Sequence, residues 1–253
     1  MDVDGVAIAS VISTAFAAGY CFSLFLKTDE SYKVYLRKLV ISAKEIADIM
    51  RLGIPSGIQA ILHTYANLSV QIAVNSFGAV VVAGTSASTT VESLVYFFGS
   101  AMTASATTFV SQNVGAENYD RIKKGTTKIL LFTAFGGMVM SLLVNIFAQP
   151  LLYIFTGDPA VVQAGLIRIR LVGSIYFTCG ISDVIIAVLR AKGHAYFPTV
   201  VSFFFTCLLR VVWIYTVFAH FKTLESAYMV YLVSWLTAII INYTFMKFDE
   251  KNQ

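Results

Sequence analysis

Five polar side chains set along one apolar stretch, with acids further down the chain, are the groups from which this sequence can build chemistry. Gln59, His63, Asn67, Gln71 and Asn75 recur at every fourth position between Ile54 and Phe77, a run without a fixed charge. As a helix that run is roughly 36 Å long, enough to cross a bilayer. A four-residue step keeps the five on one side, in a stripe that winds by about 40° per step because the turn holds 3.6 residues. Hydrocarbon cannot solvate amides and an imidazole, so this face must meet protein or water. The next stretch answers with Thr85, Thr89, Glu92, Tyr96, Gly99 and Thr103, three or four residues apart. In a hairpin turning near Gly78, His63 and Glu92 fall at similar depth. An imidazole beside a carboxylate can take up and release a proton near neutral pH, whereas a charged imidazole repels a sodium ion.

Other chemistries are poorly served. The sequence contains no HExxH, GxSxG, GxGxxG or GxxxxGK, so an enzyme, a resident metal or a nucleotide cofactor is not expected. Three cysteines, Cys21, Cys179 and Cys207, lie scattered in apolar runs and read as small core residues. The net charge of +4 does not call for nucleic acid, because a basic excess in loops on one side of a membrane explains it.

The elements that carry these residues are membrane helices. Of 253 residues, 57% are hydrophobic and only 13% charged, and the mean hydropathy is +0.75, which no ordinary soluble domain reaches. The pattern predicts an all-α polytopic bundle of about seven spans: Val6–Leu26, the two arms of the hairpin between Arg51 and Gly115, Ile129–Phe155, Val161–Leu189, a sixth from near Pro198 to Phe218, and Ala227–Phe245. Lys27 to Ile49 is basic and partly amphipathic, and is expected to lie on the surface as a connecting helix. Thr156-Gly157-Asp158-Pro159 supplies a helix stop followed by a start. Most Lys and Arg residues fall in alternate loops, including Arg121, Lys123, Lys124, Arg190 and Lys192. That side is expected to be cytoplasmic in a plasma membrane, with the C-terminus inside and the N-terminus outside.

Several stretches, taken in order, resemble the MATE family, multidrug and toxic compound extrusion. They are LGIPSGIQ at Leu52–Gln59, Asn75-Ser-Phe-Gly78, FVSQNVGAENYDRIKKG at Phe109–Gly125, LRAKGHAYFP at Leu189–Pro198 and Arg210-Val-Val-Trp213. The turn motif departs from the family's pattern by carrying Ala191 where a glycine is usual. The resemblance covers essentially the whole chain and implies a carboxy-terminal lobe preceded by one further helix. Residues 1–26 would be the last helix of an amino-terminal lobe, 27–50 the inter-lobe connector, 51–246 the six-helix lobe, and 247–253 a cytoplasmic tail. It also implies an antiporter coupled to H+ or Na+ that exports drug-like organic solutes by alternating access between two lobes. Twelve helices make up the family pattern, so a truncated gene product, or a split transporter whose amino-terminal half is a separate chain, is the expectation. The bilayer and the solute are the expected partners.

The resemblance places a cation-coordinating glutamate of some members near His63, and a carboxylate about one turn from Asp183, where Cys179 stands. His63 therefore fits either proton coupling or a plain interhelical hydrogen bond. Glu92 and Asp183 fit either ion coupling or buried pairs that fix packing. Arg168 and Arg170 are expected to snorkel outward, and Arg210 to neutralise an intramembrane acid. A cavity of the second, third and fifth helices is expected, with Gln59, His63, Asn67, Gln71, Glu92, Tyr96, Asp183 and Arg210 as its candidate residues. Tyr65, Phe97, Phe98 and Tyr176 are further aromatic candidates for holding a cationic solute. A seven-helix receptor or sensor is the alternative, since seven spans with the N-terminus outside is that topology.

Overall fold

The computed structural model describes residues 3–29, 33–35 and 42–252. The chain divides into two compact units, Met1–Ile49 and Met50–Gln253. In the first, helix α1 spans Val3–Lys27, and its side chains from Ile8 to Phe25 are exposed. Arg37 and Lys38, on which the surface-connector reading partly rests, lie outside the described residues. Ala43 onward is the opening of a single helix, α2, Ala43–Asn75.

The second unit contains the remaining helices. A tight turn follows α2, with Gly78 at φ +91°, a backbone conformation that side chains resist, and α3 runs from Ala79 to Gly115. Asn118 caps α4, Tyr119–Ile146, by accepting a hydrogen bond from the Arg121 amide at 3.2 Å. The fourth segment then breaks at Phe147, and a short α5, Ala148–Tyr153, completes it. Asp158 accepts from the Ala160 amide at 2.8 Å, with Pro159 at the first position of α6, Pro159–Leu171. The expected continuous fifth span is instead broken. A single turn at Gly173–Ile175 separates α6 from α7, Phe177–Ala191, and the two helices bend by 41°. Gly193, at φ +92°, turns the chain into α8, Tyr196–Phe221, which contains two π-helical stretches. Helix α9, Leu224–Asn252, ends the unit.

Five of these helices are long and apolar enough to cross a membrane, or six when the bent α6–α7 pair counts as one span. The sequence reading of seven included α2, which has the length, about 50 Å, but not the apolarity. Its polar stripe lowers the mean hydropathy below that of a free-standing span.

Three apolar clusters tie the bundle together. Val91, Val95, Val144, Leu152, Leu166 and Ile169 join α3 to α4, α5 and α6. Val70, Val74, Val172, Tyr228 and Trp235 join α2 to α9 through the α6–α7 bend. Val110, Ile122, Val184, Ile185, Leu189 and Met246 join α3, α4, α7 and α9. In lipid the solvent is as apolar as these side chains, so close packing rather than water exclusion must hold the helices. Glycine makes the approach possible at two places along α3. A Cβ on Gly84 would lie 2.7 Å from the Val161 carbonyl oxygen, and one on Gly99 3.1 Å from the Gly180 Cα. Gly53, Gly57 and Gly115 have nothing within 4 Å of that position. Outward, Leu131, Phe135, Leu142 and Ile146 of α4 are exposed and form an apolar face suited to acyl chains.

Candidate functional site

The polar stripe of α2 faces inward across a cavity of about 820 Å³. One wall is Ser56, Gln59, His63, Asn67 and Gln71 of α2, and the opposite wall is Thr89, Glu92, Tyr96, Thr103 and Thr107 of α3. Arg168 of α6, Tyr176 at the bend, and Cys179, Asp183 and Arg190 of α7 form a third side. Arg210 of α8 with Tyr231 and Trp235 of α9 complete its lining, so the cavity draws on two more helices than expected. His63, Asn67, Gln71, Gln59, Glu92, Tyr96, Asp183 and Arg210 therefore line one space. Asn75 and Thr85 do not. Asn75 is exposed and accepts from Gln71 Nε2 at 2.9 Å, while buried Thr85 bonds the Tyr228 hydroxyl at 2.8 Å.

Glu92 is 1% exposed and its charge is met by Arg168, not by Arg210. Arg168 donates from Nη2 to Glu92 Oε2 at 2.9 Å and from Nε at 3.3 Å, and its guanidinium lies 5.2 Å and 5.5 Å from the ring centres of Tyr228 and Tyr231. The expected snorkelling of Arg168 is thus wrong, because at 5% exposure it is a core residue. The reason is register. One step of the α6 helix turns Arg168 inward to Glu92, whereas Arg170, two residues on, is exposed. Among the described residues, Glu92 Oε1 has no hydrogen-bond partner.

Arg210 is also corrected. It is 1% exposed and neutralises no acid among the described residues: Nη1 donates to Asn67 Oδ1 at 2.7 Å and Nε to Ser234 Oγ at 3.1 Å. Its guanidinium stands 4.5 Å from the Tyr231 ring centre and 5.9 Å from that of Trp235, so an amide, a hydroxyl and two aromatic faces hold the charge. The pairing of Arg210 with Asn67 also anchors α2. Further along, Gln59 donates to Ser202 Oγ at 2.7 Å and accepts from Arg190 Nη2, and Thr199 Oγ1 donates to the Pro55 carbonyl at 3.0 Å. Polar side chains of α2 therefore fasten it to α7 and α8.

Asp183 is met by the Cys179 thiol at 3.9 Å and by no cation at ion-pair distance among the described residues. His63, partly buried, makes no hydrogen bond to a described residue. Tyr96 and Tyr176 stand at the cavity, with Tyr176 packed edge-on against Trp235 at 5.4 Å. Tyr65 and Phe97 are exposed instead, and Phe98 packs where Gly136 leaves room. Cys21 is exposed and not a core residue, while Cys179 is partly buried and Cys207 buried. Sequence reasoning did not place Ser56, Thr107, Arg168, Arg190, Tyr231 and Trp235 at the cavity, nor Ser202 and Ser234 as the partners of Gln59 and Arg210. Trp235 and Tyr231, four apart on α9, carried a helical-spacing signal that went unused. Among the described residues no cluster of His, Cys, Asp or Glu has the makings of a metal site.

Long apolar helices around a charged and amide-lined interior define a polytopic membrane protein whose polar groups face inward. The chain belongs to the MatE family, whose family model matches residues 55–216. It is 27% identical to the probable multidrug resistance protein NorM of Thermotoga maritima over 209 residues, 80% of this chain and 44% of that protein. It is 23% identical to the probable multidrug resistance protein YoeA of Bacillus subtilis along its entire length, covering 56% of that protein. A MATE crystal structure in complex with MaL6 superposes with a TM-score of 0.87 at 16% identity, over 98% of this chain and 56% of the other, a likeness of fold. The chain thus spans about half the length of the relatives it matches. The receptor alternative gives way to the family assignment.

Proposed function

We propose that the chain forms one lobe of a multidrug exporter in the plasma membrane, the carboxy-terminal lobe with the helix before it. A complementary amino-terminal half would complete the passage, and drug-like organic solutes would cross by alternating access. The observation that carries the reading is the single cavity onto which α2, α3 and α7 direct His63, Glu92 and Asp183. A lobe that only packed would gain nothing by carrying these groups within the membrane at such cost.

His63 is the residue we assign to coupling. It stands on the cavity without a hydrogen-bond partner among the described residues, which leaves one ring nitrogen open to accept a proton and the N–H of the other open to a solute. Such a group favours H+ over Na+ as the coupling ion. Glu92 serves mainly as the buried counter-charge to Arg168. The excess of Lys and Arg in alternate loops supports a cytoplasmic C-terminus.

The test is dye efflux from cells that express the chain together with a complementary amino-terminal lobe. His63→Ala is expected to slow efflux several-fold, and Ser69→Ala to leave it unchanged. Ser69 only donates to the Tyr65 carbonyl at 3.1 Å and is no part of the cavity wall. Equal export by the two variants at matched expression removes His63 from the mechanism.

A further inference from the structure

The charges that this lobe brings to the cavity do not balance. Helix α2 contributes His63, α3 Glu92, α6 Arg168, α7 Asp183 and Arg190, α8 Arg210, and α9 only aromatic and neutral groups. Three guanidinium groups face two carboxylates, even with the imidazole neutral. Arg168 and Glu92 cancel within their own ion pair. No carboxylate of the described residues reaches ion-pair distance of Arg190 or Arg210. Arg190 is partly buried at the wall, shares one Nη2 hydrogen with Gln59, and leaves its Nε without a partner among the described residues. Arg210, on the same cavity, is a fixed positive charge that the described residues hold with neutral groups alone.

An exporter of cations would be expected to line its passage with acids. A low-dielectric cavity with surplus guanidinium focuses a positive field and raises the local concentration of anions. A guanidinium also presents paired donors that match a carboxylate. Beside these charges Tyr176, Tyr231 and Trp235 supply flat apolar surface. We infer that the solute bound in this cavity is an amphiphilic anion, an aromatic or apolar body ending in a carboxylate, with Arg190 as its contact and Arg210 as the charge that selects it. This inference rests on the reading of the cavity as a solute passage.

Two dyes with one fluorophore and opposite charge test it, dansylglycine and dansylcadaverine. The purified chain in neutral micelles contains two tryptophans, and only Trp235 lines the cavity, so energy transfer lost in Trp235→Phe reports occupancy. Dansylglycine is expected to bind roughly tenfold more tightly than dansylcadaverine, the size of one good charge-assisted contact. Arg210→Gln should erase that preference and Arg210→Lys retain it. If Arg210→Gln does not fold, the wild-type ratio and the lysine variant still decide. Equal or tighter binding of dansylcadaverine with Trp235-dependent transfer overturns the anion assignment and leaves the passage intact. Absence of Trp235-dependent transfer from either dye removes the passage reading, and the inference with it.

Discussion

Removing either half of the Glu92–Arg168 pair should destabilise the bundle, and by unequal amounts. Both side chains are nearly sealed, with 1% of Glu92 and 7% of Arg168 accessible, and two hydrogen bonds converge on one carboxylate oxygen. Glu92→Leu strands a guanidinium that cannot shed its proton, and breaking a buried pair in this way costs about 3–5 kcal/mol. Arg168→Met strands a carboxylate, which a proton can neutralise, so the loss falls to about 1–3 kcal/mol for its unmade hydrogen bonds. The methionine keeps contact with Tyr228 and Tyr231, the rings against which Arg168 lies. The double variant removes both charges and should recover to within about 1 kcal/mol of wild type, because well-packed apolar residues replace buried pairs at little cost. Equilibrium unfolding in mixed micelles, run as a double-mutant cycle, reads these differences. Two small losses that simply add would refute the reasoning, since that is how an arginine reaching to the lipid surface behaves.

Other consequences are local. Gly84→Ala should cost about 1–3 kcal/mol, seen as a lower melting temperature, because the new methyl meets backbone atoms of Val161 and Gly165 at 2.7 and 2.8 Å. Gly57→Ala, with nothing within 4 Å, should be neutral or slightly stabilising in the same assay. Asp249 accepts from Lys192 Nζ at 3.0 Å and bonds His194 Nε2 at 2.9 Å, fastening the end of α9 to the turn between α7 and α8. Asp249→Ala should speed amide hydrogen exchange in the last two turns of α9 and leave the first turns of that helix unchanged.

What could be read from the sequence was decided by local periodicity. The four-residue recurrence from Gln59 to Gln71 fixes a helix face whatever packs against it, so the polar wall of α2 was legible before any partner was known. The opposing stripe was legible for the same reason, except where tertiary contacts intervene. Thr85 and Gly99 share its spacing but are spent on Tyr228 and Gly180. Pairings across the bundle were not legible, because they join residues far apart in the chain. Arg168 to Glu92 spans 76 positions and Arg210 to Asn67 spans 143. An apolar run says only that a charge inside it needs company, and Arg210, expected to meet an acid, meets Asn67 and Ser234 instead. The bend between α6 and α7 was hidden likewise, since Gly173 in an apolar segment is compatible with a continuous helix until its packing is seen.

Whether the α2 stripe truly borders water is best measured by cysteine accessibility in the membrane. In a chain whose Cys21, Cys179 and Cys207 have been replaced, single cysteines at 63, 67 and 71 are compared with ones at 61, 68 and 72. Ile61, Leu68 and Ile72 are 69%, 54% and 64% exposed and point away from the cavity. A charged, membrane-impermeant thiol reagent should label the first set at least tenfold faster than the second, because a thiol in hydrocarbon neither ionises nor meets the reagent. Equal rates, or faster labelling at 61, 68 and 72, would contradict a polar passage bounded by α2.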